Sequence, residues 1–241
     1  MFRTFAAAAV LALAALPAAA AAPARAAGHA AFEGVWSAVE GNLFDPKAGL
    51  DGNAQGVRLH PPYKPVDEAR YTAQIEANKT TQADPTATCL PSGVPRLWAV
   101  PFPLEIIVQP KRVSIIHEME SQVRRVFMDG RPHPDELDPS FNGHSVGHWE
   151  GDVLVIDTIG LRPDTVYDRT VAHHTRNLHV TERLRLAEPD LLEVQITMDD
   201  PEVFTRPWVV TRHYDRQPDW DLQEYVCLEN NRQTLSGAAP K

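Results

Sequence analysis

The chain has 241 residues, a formal net charge of -9 at pH 7 and a hydrophobic content of 43%. An acidic chain with no basic cluster repels phosphate backbones, which excludes nucleic acid as an expected partner. Beyond the N-terminus no stretch is apolar enough to span a bilayer as a helix, so no membrane span is expected.

Met1-Phe2-Arg3 is a positive start, Phe5 to Leu16 is a short Ala/Leu-rich run, and Pro17 ends it. Ala20-Ala21-Ala22 and Ala24-Arg25-Ala26 follow as small-residue cleavage boxes. The pattern over 1–27 is that of a secretory signal peptide, and it places the protein in the periplasm or outside the cell. Residues 28–241 then form one domain of ordinary size for a β-barrel. In an exported chain Cys89 and Cys227 most simply form one disulfide.

Phe32 to Ser37 reads as a first strand, and residues 40–64, rich in Gly, Asn, Asp and Pro, as an irregular loop. Pro65 opens a helix over Val66–Lys79, with Asp67 and Glu68 in its first turn and Lys79 late. Five prolines between Pro85 and Pro103 exclude long elements there. From Leu104 the texture changes. LEIIVQ, RVSIIHEM and QVRRVFMD are short β-branched runs with tight connections, and the hairpin HWEGDVLVID continues them. NLHVTERLRLA, LLEVQITMDD and RPWVVTRHYDR complete the set. The fold class expected is mostly β: an antiparallel lipocalin-like barrel with one N-terminal helix and long Pro/Gly-rich N-terminal loops. In LHVTERLRL, Leu178, Val180, Glu182 and Leu184 share one face, and His179, Thr181, Arg183 and Arg185 the other. Which face looks inward stays open at this level.

Six of the ten histidines lie between His133 and His179: these two, His144, His148, His173 and His174. Imidazoles titrate near neutral pH, so a local cluster points to acid/base chemistry. In that reading His144 or His179 moves a proton, Glu182 orients the imidazole and Arg183 stabilises developing negative charge. His133, His148, Trp149 and His174 are the candidate substrate contacts. Two competing patterns are weaker. His144-x3-His148 with His173, His174 and His179 offers nitrogens for a metal, but Gly143 and Gly147 argue against the helix that would gather them. No metal is therefore assigned, and no cofactor. Gly143-His144-Ser145-Val146-Gly147 fits G-x-S-x-G, yet a β-hairpin follows where a nucleophile elbow requires a helix.

The runs DGRPHP, GHSVGHWEGDVLVIDT, LHVTERLR, DDPEVFTRPW and EYVCLENN, with PTATCLPSGVPR and PFPLEII upstream, resemble a family of exported bacterial proteins. The resemblance covers about Tyr71 to Asn231. This chain departs from the family at Phe141, where Trp or Tyr is common nearby, and at Leu184, where Phe is usual. The resemblance implies a lipocalin-like barrel and export, and implies no activity, cofactor or catalytic residue.

The functional expectation is a cofactor-independent acid/base lyase or isomerase acting on a small apolar or aromatic molecule in a barrel cavity. Its rival is a periplasmic lipocalin-like carrier for a small hydrophobic ligand, without catalysis. A third reading is an interaction module using the long N-terminal loop. Homo-oligomerisation is left open.

Overall fold

The computed structural model describes residues 28–40, 44, 60–78, 80–81 and 84–230; the expected signal peptide and most of the 40–64 loop lie outside them. Nine strands close into one barrel in sequence order. They are β1 (Gly34–Ala38), β2 (Leu104–Gln109), β3 (Arg112–His117), β4 (Gln122–Phe127), β5 (His144–Glu150), β6 (Val153–Ile159), β7 (His179–Glu188), β8 (Leu191–Asp199) and β9 (Trp208–Arg216). β1 closes the ring by pairing with both β2 and β9.

The expectation of a purely antiparallel sheet is corrected at one seam. β4 and β5 run parallel through Val126↔Ser145 and Phe127↔Val146. The reason is parity: strands alternating up and down around a closed ring of nine must leave one pair of neighbours pointing the same way. A parallel pair needs a crossover rather than a tight turn. The 128–143 connection, rich in Pro, Asp and Gly, supplies it.

Alternation sorts the side chains. Leu104, Ile106, Ile115, Ile156, Val180, Leu184, Val194 and Tyr214 point inward and are fully buried. Trp36 closes one part of this core, its indole donating to the Phe32 carbonyl at 3.0 Å with the Arg216 guanidinium over its ring. The segment Ser92–Val100 is buried along its whole length and sits against the interior. Trp98 is its anchor: its carbonyl accepts from the Tyr214 hydroxyl at 2.7 Å and from Arg212 at 3.1 Å. The lumen is thus packed with side chains, as in small barrels generally.

α1 (Pro65–Asn78) packs against the β6–β7 connection. Tyr71 is its buried residue and donates to the Thr170 hydroxyl at 2.9 Å, while Asp67 accepts from His173 at 3.3 Å. Cys89 and Cys227 form a disulfide across 138 residues. It ties the segment after α1 to the C-terminal strap. No helix among the described residues is long and apolar enough to cross a membrane.

Candidate functional site: an imidazole–carboxylate relay on the barrel wall

The strand pleat splits the expected catalytic set in two. Glu182 shares the inward face of β7 with Val180 and Leu184, so it enters the core. There it meets Arg124 of β4 in a two-pronged ion pair, with contacts of 2.7 and 2.5 Å and side-chain exposures of 1% and 0%. Trp98 donates to the same carboxylate at 2.5 Å, and Arg124 also reaches the hydroxyls of Ser145 at 3.2 Å and Thr158 at 2.8 Å. This is a satisfied buried network. The role expected for Glu182, orienting a catalytic imidazole, is therefore corrected: its partners are a guanidinium and an indole. Ser145 of the G-x-S-x-G match is likewise committed inside, facing Thr158 at 2.9 Å.

Next to this network lies His117, buried, with neither ring nitrogen hydrogen-bonded within the protein. Burial, with the Arg124 charge adding to it, pushes its pKa down to about 3, so it is a neutral core imidazole. Sequence reasoning passed over it because it ends a short β-branched strand outside the histidine cluster at 133–179.

Of the remaining expected residues, His148 and Arg183 fall on the outer face. His148 is exposed and pairs with Glu150 at 3.2 Å; Glu150 also takes Arg183 at 2.8 Å. Both are solvated pairs and contribute little to stability. Trp149 turns the other way and stacks on His29, with ring centroids 3.7 Å apart. His174 is buried and bridges the Thr165 hydroxyl and the Thr175 carbonyl, a pin for the β6–β7 connection rather than a substrate contact.

Three of the predicted histidines do converge, around a carboxylate that the sequence reading did not select. On β6, Asp157 lies on the outer face between core-facing Ile156 and Thr158. His133 Nε2 donates to Asp157 Oδ1 at 2.7 Å and His179 Nε2 to Oδ2 at 2.6 Å. His133 Nδ1 meets His144 Nδ1 at 2.8 Å. The crossover loop supplies His133, and its far end is pinned by Ser140, whose N–H donates to the Gly160 carbonyl at 3.0 Å. Gly143, at φ +61°, turns the chain into β5 so that His144 faces outward; a Cβ there would lie 2.5 Å from the Ile159 carbonyl oxygen.

Comparison with protein-family models finds no match, and none is found among curated proteins. The chemistry of the cluster must therefore be read from its own atoms.

A carboxylate only accepts hydrogen bonds, so both Nε2 atoms on Asp157 are donors. A neutral His133 then has its lone pair on Nδ1, and His144 Nδ1–H donates to it. That tautomer, assigned from the network, leaves the His144 Nε2 lone pair free of any partner among the described residues. The environments drive the two outer imidazoles apart. Partial burial, with the Arg131 charge adding to it, lowers the His144 pKa, and His133 adds to the effect only in its protonated form. The hydrogen bond to Asp157 raises that of His179 against a smaller effect of burial. Burial alone would raise Asp157, but the hydrogen bonds from His179 and His133 outweigh it and its pKa is lowered. One imidazole shifted toward its neutral form and one toward its protonated form, linked through His133 and one carboxylate, suit a base and an acid on the same wall. Among the described residues no three His, Cys, Asp or Glu side chains are arranged to hold a metal ion.

Proposed function

We propose that the protein is a cofactor-independent acid/base catalyst, an isomerase or lyase for a small organic molecule, working at the outer wall of a lipocalin-like barrel. The observation that carries this reading is the His144–His133–Asp157–His179 relay, with the His144 Nε2 lone pair free among the described residues. In a turnover, Nε2 of His144 takes a proton from a carbon acid. The charge that develops on its ring is spread through the Nδ1–H bond to His133 and on to Asp157. His179, two strands across and therefore about 10 Å away, is held toward its protonated form by Asp157 and in that form can donate its Nδ1 proton. Delivered to a second carbon, that proton completes an isomerisation; delivered to a leaving group, it completes an elimination. General acid/base groups of this kind contribute ~10²–10⁴-fold each.

The packed lumen weighs against the carrier reading, which needs interior space for its ligand. The Cys89–Cys227 disulfide supports an oxidising compartment and so an exported protein.

The test uses 5-nitrobenzisoxazole, whose ring opens by base-catalysed loss of one C–H proton and reports at visible wavelengths. The purified protein should accelerate the opening above an equal concentration of free imidazole, and His144→Ala should remove the difference while leaving the circular dichroism spectrum unchanged. Equal rates for wild type and His144→Ala would sink the assignment.

A further inference from the structure

The base has a cation beside it, and the geometry of that cation narrows the substrate. Phe127, the last residue of β4, turns outward at the parallel seam. The His144 ring stacks against it, with centroids 5.2 Å apart and planes 25° from parallel. The Arg131 guanidinium also lies over this ring, 4.1 Å from its centroid. Arg131 and His144 thus share one aromatic platform. Asp129 holds the same guanidinium by one edge, with Nε at 2.8 Å from Oδ1 and Nη2 at 2.6 Å from Oδ2. A side chain clamped at one edge and stacked on its face has little rotamer freedom left to lose on binding. Its Nη1 has no partner among the described residues, and the side chain is about half exposed. N–H donors held at a fixed position on the same aromatic ring as an unpartnered base form a half-built binding site.

We infer that the molecule handled at this wall is a small monocarboxylate, seated on the Arg131 guanidinium with its acidic C–H turned toward His144 Nε2. The inference rests on the acid/base reading for the role of His144, and deepens it by naming the substrate class. A monoanion fits the geometry: Asp129 takes the Nε–H and one Nη2 N–H, and of the three N–H groups left, one on Nη1 and one on Nη2 form a single end-on pair for a carboxylate. A phosphate dianion would need more cation than Arg131, already paired with Asp129, provides. Proton abstraction next to a carboxylate builds negative charge on carbon, and the Arg131 cation lies on the side where that charge is delocalised into the carboxylate. The proton taken by Nε2 is then lost to solvent while His179 regains from solvent the one it gave, so no oxidant, reductant or second substrate is required.

The experiment is a titration followed by the His144 ring resonances in a ¹H–¹³C NMR spectrum, with benzoate, benzyl alcohol and inorganic phosphate as probes. Benzoate should shift His144 saturably, and benzyl alcohol, similar in shape but uncharged, should bind at least tenfold more weakly, as should phosphate. Arg131→Gln should weaken benzoate at least tenfold, with Arg131→Lys recovering part of the loss. Benzyl alcohol or phosphate binding as tightly as benzoate would overturn the inference, and so would unaltered benzoate binding in folded Arg131→Gln. The comparison of probes on wild type holds even if the Arg131 variants fold poorly. Benzoate binding of the expected pattern in a protein that does not open 5-nitrobenzisoxazole would remove the acid/base reading and keep the carboxylate seat. Catalysis of the ring opening without benzoate binding would remove the seat alone.

Discussion

Replacing Glu182 by Gln separates a structural carboxylate from a catalytic one. The substitution keeps the shape and leaves an oxygen for the Trp98 indole, but it removes the charge opposite Arg124. With exposures of 1% and 0%, neither group can turn to water instead. Breaking one side of a buried pair costs about 3–5 kcal/mol, because the remaining charge is stranded. Set against a typical total stability of ~5–15 kcal/mol, that is a large fraction. For a domain of this size it corresponds to a fall in Tm of about 6–20 °C. Urea unfolding followed by tryptophan fluorescence measures it directly. The double replacement Arg124→Met with Glu182→Leu should recover most of the loss, since exchanging a whole buried pair for apolar side chains is often neutral or stabilising by ~1–4 kcal/mol. A Glu182→Gln protein within about 0.5 kcal/mol of wild type, yet inactive, would refute the reasoning and return Glu182 to the catalytic set.

The rate of 5-nitrobenzisoxazole opening should rise with pH as His144, lowered from the ordinary 6.5, gives up its proton. For a substrate that also needs an acid it should fall again above 6.5, as His179 loses the proton its raised pKa holds. A descending limb that persists in His179→Asn would disprove the acid assignment. The stability contributed by Asp157 is present at neutral pH and fades as pH falls through its lowered pKa, whereas that of His179 is present in acid and fades as pH rises through its raised one. Urea midpoints measured across pH in Asp157→Asn should therefore lose both slopes. His133→Phe should cut the rate by ~10–100-fold by releasing the His144 tautomer, and should move the ascending limb, which a purely structural role would leave in place. Gly143→Ala puts a methyl group against the Ile159 carbonyl at positive φ, and should cost more than 1 kcal/mol by thermal melting.

The strands from Leu104 onward were legible because β-branched runs and tight turns repeat at strand length, and so was the disulfide. The parallel seam was not, since its crossover is written in turn residues that specify no pairing partner. The faces were misleading on β4. In QVRRVF the inward positions are Gln122, Arg124 and Val126, while exposed Val123 looks outward. Hydrophobic alternation is inverted there, so the partner awaiting Glu182 could not be inferred. Asp157 was hidden inside VLVIDT, a run apolar on both faces of β6, one covered by the core and the other partly by the crossover loop. His144, His133 and His179 were found by their chemistry. Only the fold supplied the carboxylate between them.

The disulfide spans nearly the whole barrel. Strands β2 through β9 all lie between Cys89 and Cys227, so eight strands belong to one covalent ring and β1 alone is outside it. That five-residue strand is the keystone: it enters between β2 and β9, the two edges brought near by the ring, and joins them. Its partners are also distant in sequence, which makes its pairing among the slowest to find by chance. A protein oxidised before β1 docks would present an open eight-stranded sheet with two bare edges held close together, a template shaped for one short strand.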